Sequence, residues 1–129
     1  MIRHIVLIRF QPIVSEAMIA DLFAELHQIN GKVLGLLAIT SGKSENPEQM
    51  ERGYMHGFVV DLTDWAALQA YQDHPEHQVL GAKLTAAAVG GKDGILCFDL
   101  PVSTEKNEPC AASALRPFPP LGKSGNLGA

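Results

Sequence analysis

The segment Ile2-Arg3-His4-Ile5-Val6-Leu7-Ile8-Arg9-Phe10 constrains this chain more than any other. Its β-branched and apolar residues predict a strand over 2–10. Gln11-Pro12 ends the run, because proline has no N–H to give to a ladder. Even positions place His4, Val6, Ile8 and Phe10 on one face; odd positions place Arg3, Ile5, Leu7 and Arg9 on the other. Both faces are apolar in the middle, so the fold must cover this strand on both sides.

The elements that follow narrow the choice. Ser15 is the expected N-cap of a helix, with Glu16 in the first turn where it suits the dipole. Ile19, Leu22, Phe23, Leu26 and Ile29 give that helix one apolar stripe, and Asn30-Gly31 is expected to end it. Residues 32–40 read as a second strand, 41–53 as a polar loop, and 54–62 as a third strand with His56, Phe58, Val60 and Leu62 on one face. Thr63 or Asp64 caps a second helix carrying Trp65, Leu68 and Tyr71. His74-Pro75 interrupts it, since proline disfavours helix in the residue before it and suits the first turn of a new helix. Residues 76–89 form that further helical piece, broken by Gly90-Gly91 and Asp93-Gly94, and 95–100 are a fourth strand.

The order is β-α-β-β-α-β, which predicts an α+β, ferredoxin-like split βαβ protomer: a four-stranded antiparallel sheet with helices on one face. The other face is expected to carry His4, Val6, Ile8, His56, Phe58 and Val60. That surface is too apolar to leave in water, so a C2 homodimer burying sheet against sheet is expected.

A chain of 129 residues is one domain's worth, placed here at 1–100. From Pro101 the sequence turns to Pro, Gly, Ser and Ala without period, so 101–129 reads as an extended or disordered tail. The net charge of −4, with no basic stripe, argues against nucleic acid. No apolar run approaches the ~20 residues of a membrane helix, and the N-terminus shows no signal-peptide pattern. Cys97 and Cys110 fit neither a metal spacing nor a disulfide framework. They read as free thiols, which points to the cytoplasm.

Most groups able to move a proton near neutral pH lie in Tyr71-Gln72-Asp73-His74-Pro75-Glu76-His77 or on the two strands bearing His4 and His56. In this topology strands one and three are neighbours, so His4 and His56 are expected within a few ångströms of each other. Tyr71 and His77 flank the His-Pro turn, and a phenol beside an imidazole suits general acid–base work. The same residue types also serve as ordinary core and capping groups. Asp73, His74 and Glu76 are expected to shape the turn and cap the helix. Neither an H-E-x-x-H nor a G-x-G-x-x-G pattern occurs, Gly90-Gly91-Lys92 lacks the context of a phosphate loop, and nothing marks Cys97 as activated. No metal and no cofactor are expected.

Three segments, 2–10, Gly53-Tyr54-Met55-His56-Gly57-Phe58-Val59-Val60 and Ala70-Tyr71-Gln72-Asp73-His74-Pro75-Glu76-His77, together resemble the signature regions of the stress-responsive dimeric A/B barrel (Dabb) family over about residues 2–100. That resemblance implies a ferredoxin-like protomer and a homodimer whose two sheets close a barrel. The family includes plant polyketide cyclases of the olivetolic acid cyclase type, which perform a cofactor-free aldol condensation. Their catalytic Tyr and His match Tyr71 and His77, and two further pocket histidines match His4 and His56. The chain departs from them at Leu26, where they carry another pocket Tyr, and in the small Ala86, Ala87 and Ala88. The resemblance implies a small-molecule cavity with Tyr71 and His77 catalytic, and His4, His56, Val6, Ile8 and Phe58 contacting substrate. Two alternatives are a non-enzymatic stress-responsive dimer holding an apolar ligand, and a cofactor-free monooxygenase of the related barrel type.

Overall fold

The structure, a computed structural model, describes residues 1–103. Its elements are β1 (Ile2–Ile8), α1 (Glu16–His27), β2 (Leu36–Lys43), β3 (His56–Leu62), α2 (Trp65–Asp73), α3 (Pro75–Ala87), a 3-10 turn (Gly91–Gly94) and β4 (Ile95–Pro101). The strands form one antiparallel sheet in the order β2-β3-β1-β4, the ferredoxin-like arrangement expected from the sequence. Met1 and Val102 exchange backbone hydrogen bonds of 3.1 and 2.8 Å, carrying the β1–β4 ladder one pair past Pro101. The tail expected over 101–129, with Cys110, otherwise lies outside the described residues.

Local chemistry sets the helix starts. Ser15 Oγ accepts the N–H of Met18 at 3.1 Å, and Asp64, rather than Thr63, caps α2 by accepting the N–H of Ala67 at 2.9 Å. At the proline break His74 takes both duties. Its backbone N–H bonds to the Tyr71 carbonyl, closing α2. Its Nδ1 accepts the N–H of Glu76 at 3.1 Å, opening α3 with Pro75 at the first position. The helix α1 ends at His27, before Asn30-Gly31, and β2 starts four residues later than expected. Gly35 explains the delay. Its φ of +91° belongs to the left-handed region, and a Cβ there would sit 2.6 Å from that of Ala67. The chain therefore turns at Gly35 before the strand begins.

The core lies between the sheet and the helices. Ile19, Phe23 and Leu26 of α1, Leu68 and Tyr71 of α2, and Leu80 and Leu84 of α3 pack on Ile2, Val6, Ile8, Phe58, Val60 and Leu62. Each such apolar side chain contributes about 1.5–3 kcal/mol relative to exposure.

This packing corrects one expectation. His4, Val6, Ile8, His56, Phe58 and Val60 face the helices, not a partner; all are buried within the protomer. The open face carries the alternate residues, Arg3, Ile5, Leu7, Val59 and, on β4, Leu96, Phe98 and Leu100. The last three are 47, 55 and 41 % exposed, so an apolar open face exists, but with the opposite parity.

A second expectation also fails. His4 pairs with Val60 and His56 with Ile8, so the two histidines sit four residues apart along the ladder, roughly 13 Å at ~3.3 Å per residue. They share a face and do not meet.

Candidate functional site

The edge strand β4 and the helices define an opening. None of the helices packs closely along β4, so its helix-side residues, Cys97 and Asp99, stay accessible although they point the same way as buried Val6 and His4. A cavity of about 360 Å³ fills this gap. Its walls are largely apolar, from Val6, Phe58, Leu84 and Ile95. His4, His77, Gln72, Thr85, Cys97 and Lys92 add polar groups, and Gly81 leaves room on α3.

Three aromatic side chains stand together here: His4 and His77, which line the cavity, and the buried Tyr71, which does not. The Tyr71 ring lies 4.5 Å from that of His77 and 5.8 Å from that of His4, edge-on in both cases. His77 Nδ1 is 3.1 Å from the Gln72 carbonyl. A carbonyl only accepts, so Nδ1–H donates, and in the neutral ring Nε2 keeps its lone pair. Burial lowers the His77 pKa from its ordinary value, outweighing the bond to Gln72, so the ring is a neutral acceptor at pH 7. His4 Nδ1 lies 2.6 Å from Asp99 Oδ1, and Nδ1–H donates to it. Tyr71 is fully buried, and burial holds its phenol well above the ordinary value, so the hydroxyl stays protonated. That hydroxyl has no hydrogen-bond partner among the described residues. Buried polar groups are nearly always paired, so an orphaned donor on a ring packed against two imidazoles calls for explanation.

The sequence-predicted site residues thus divide. Tyr71, His77 and His4 are brought together, and Val6 and Phe58 line the same cavity. Ile8 is sealed in the core and does not reach it. His56 lies at the other end of the ladder, with Nε2 3.0 Å from Glu16 Oε1 and its ring edge-on to Phe10. The bond from His56, with Lys43 alongside, holds the Glu16 carboxyl below its ordinary value. Of the residues expected to shape the turn, His74 caps α3, while Asp73 accepts from Gln69 and Glu76 pairs with Lys32 at 2.8 Å. Sequence reasoning missed Asp99, the Gln72 carbonyl, Gly81 and Lys92. Only Asp99 carried a signal: with β4 antiparallel to β1, an acidic residue near its end falls opposite His4.

A split βαβ protomer with a cavity between its helices and an edge strand is a ferredoxin-like α+β domain. The chain belongs to the stress responsive A/B barrel domain (Dabb) family, whose pattern its residues 2–102 match. Among solved structures, a dimeric ferredoxin-like protein of unknown function from Jannaschia sp. CCS1 is 35% identical, covering 78% of this chain and 98% of its own, with a TM-score of 0.74. Hydroxynitrile lyase from Passiflora edulis is 16% identical over 81% of this chain and 95% of its own, at 0.69. An antibiotic biosynthesis monooxygenase is 14% identical over 80% and 99%, at 0.62. The last two likenesses are of fold alone. No curated protein matches the chain.

Proposed function

We propose that this chain forms a homodimer through its open sheet face and uses the cavity for cofactor-independent chemistry on a small carbonyl compound, of the cyclase, lyase or isomerase kind. His77 Nε2 takes an acidic proton α to the carbonyl, and the Tyr71 hydroxyl donates a hydrogen bond to the oxygen on which negative charge develops. His4, held by Asp99, orients substrate oxygens. The observation that carries this reading is the Tyr71 hydroxyl, without a partner among the described residues, on a ring packed edge-on against the imidazoles of His77 and His4. A substrate oxygen reaching it supplies the partner that the described residues do not. The dimer is supported by the exposed Leu96, Phe98 and Leu100 and by the dimeric Jannaschia relative. The test is turnover of a panel of β-polyketo thioesters, aromatic ring-forming substrates and cyanohydrins. Activity that falls in Tyr71→Phe and His77→Ala supports the reading; no turnover, or turnover unchanged in both variants, removes it.

A second reading is a dimer that holds an apolar small molecule without converting it. It is favoured by the full burial of Tyr71, which does not itself line the cavity, and by the apolar walls. Under it, ligands bind unchanged and Tyr71→Phe binds them equally well.

A further inference from the structure

The described residues include four lysines, and three of them are paired. Lys32 meets Glu76 at 2.8 Å, Lys43 meets Glu16 at 3.4 Å and Lys83 meets Glu25 at 2.9 Å. Lys92 has no carboxylate within ion-pair distance among the described residues, and it is the one that lines the cavity. It comes from the 3-10 turn Gly91–Gly94, entered through Gly90 and Gly91 at φ of +75° and +67°. Such backbone favours glycine and fixes where the lysine is presented.

Among the described residues no Asp or Glu side chain lines the cavity; Asp99 lies beside it and is already engaged by His4. Among the described residues Lys92 is therefore the only Lys, Arg, Asp or Glu in the lining, in a chain whose net charge is −4. A shallow groove of about 600 Å³ continues outward along α3 and shares Lys92, His77, Gly81 and Thr85 with the cavity. Apolar walls beside a lysine that has no carboxylate partner among the described residues match a ligand with an apolar body and a single negative end.

We propose that the cavity takes a small carboxylate, its apolar body against Val6, Phe58, Leu84 and Ile95 and its carboxylate at Lys92, so that Lys92 sets specificity for acids over their neutral analogues. This rests on the small-molecule reading of the cavity and narrows it to a substrate class.

The experiment is calorimetric titration of the full chain at low ionic strength with three probes of one length: octanoate, octanamide and octylamine. Because it reads equilibrium binding, it is independent of turnover. Octanoate is expected to bind at least about tenfold tighter than octanamide, with octylamine weaker still and the preference shrinking as salt is added. Lys92→Met is expected to erase the difference between acid and amide. Gly81→Phe, which projects a ring into the cavity from a position where a Cβ meets nothing within 4 Å, is expected to block binding of all three. Thermal melts of both variants check that they fold. Equal binding of acid and amide, blocked by Gly81→Phe, overturns the charge selectivity and leaves the cavity reading standing. A preference that survives Lys92→Met overturns Lys92 as its source. Binding of none of the probes, or binding indifferent to Gly81→Phe, overturns both.

Discussion

His4 Nδ1 and Asp99 Oδ1 lie 2.6 Å apart across the β1–β4 ladder, between residues 95 positions apart in the chain. The bond ties the edge strand to the sheet and fixes which nitrogen of His4 faces away from it. Asp99→Asn keeps the shape but replaces an acceptor-only group with an amide that also donates. The variant is expected to lose about 1 kcal/mol, less than a fully buried bond to a charged group because Asp99 is partly exposed. Urea unfolding measures it, and an unchanged midpoint contradicts it.

Tyr71 allows function and stability to be separated. A hydroxyl used for structure costs about 0.5–1.5 kcal/mol when deleted. This one has no partner among the described residues, so Tyr71→Phe is expected to leave stability unchanged or raise it by up to about 1 kcal/mol. The same variant loses activity if the proposed chemistry holds. Loss of both together would point to a structural bond instead.

His77 gives a pH dependence. Its folded pKa lies below the ordinary 6.5, so between those two values the unfolded chain binds more protons than the native one. Stability from this group is full above about 6.5, falls as pH drops from 6.5 to the folded value, and is flat below it. Wild type is expected to lose stability across that window relative to His77→Gln, as measured by unfolding midpoints at stepped pH. A turnover profile governed by a His77 base has its acid limb below 6.5.

Gly81 sits inside α3, where glycine costs roughly 0.5–1 kcal/mol against alanine. Space around it is open, so Gly81→Ala is expected to recover that amount in thermal unfolding while narrowing the cavity. Lower stability would show that the position is tighter than its geometry indicates.

Phe98 lies at the centre of β4 on the open face, opposite Ile5. Phe98→Glu is expected to shift the protein on a calibrated sizing column from near twice the 13.9 kDa chain mass to a monomer. A wild-type monomer contradicts the dimer outright.

Much of the fold was legible because it is written in short-range chemistry. Ser15, Asp64 and His74-Pro75 act within three residues of themselves, and the strand runs carry their own alternation. What could not be read is what covers each face. Alternation shows that His4, Val6 and Ile8 lie together, but both faces of β1 are apolar, so parity alone does not say which one meets the helices. Register was equally hidden: His4 and His56 share a face, yet their separation depends on how β1 and β3 slide past each other. In the site, Tyr71 and His77 were visible as neighbours across one turn. Lys92 was not, and Asp99 only through the antiparallel pairing of β4 with β1, since Lys92 reaches the cavity and Asp99 reaches His4 through folding of distant chain.

The alternation along β1 has a consequence for how this protein tolerates change. Residues serving the cavity and residues facing the open side interleave one by one, so the strand is a single ribbon with two independent readouts. Point substitutions address either readout separately. Removing Ile5 from the middle of β1 would exchange them in the half beyond the deletion, turning Val6 and Ile8 to the open side and Leu7 towards the helices. Length in this strand is therefore a harder constraint than identity.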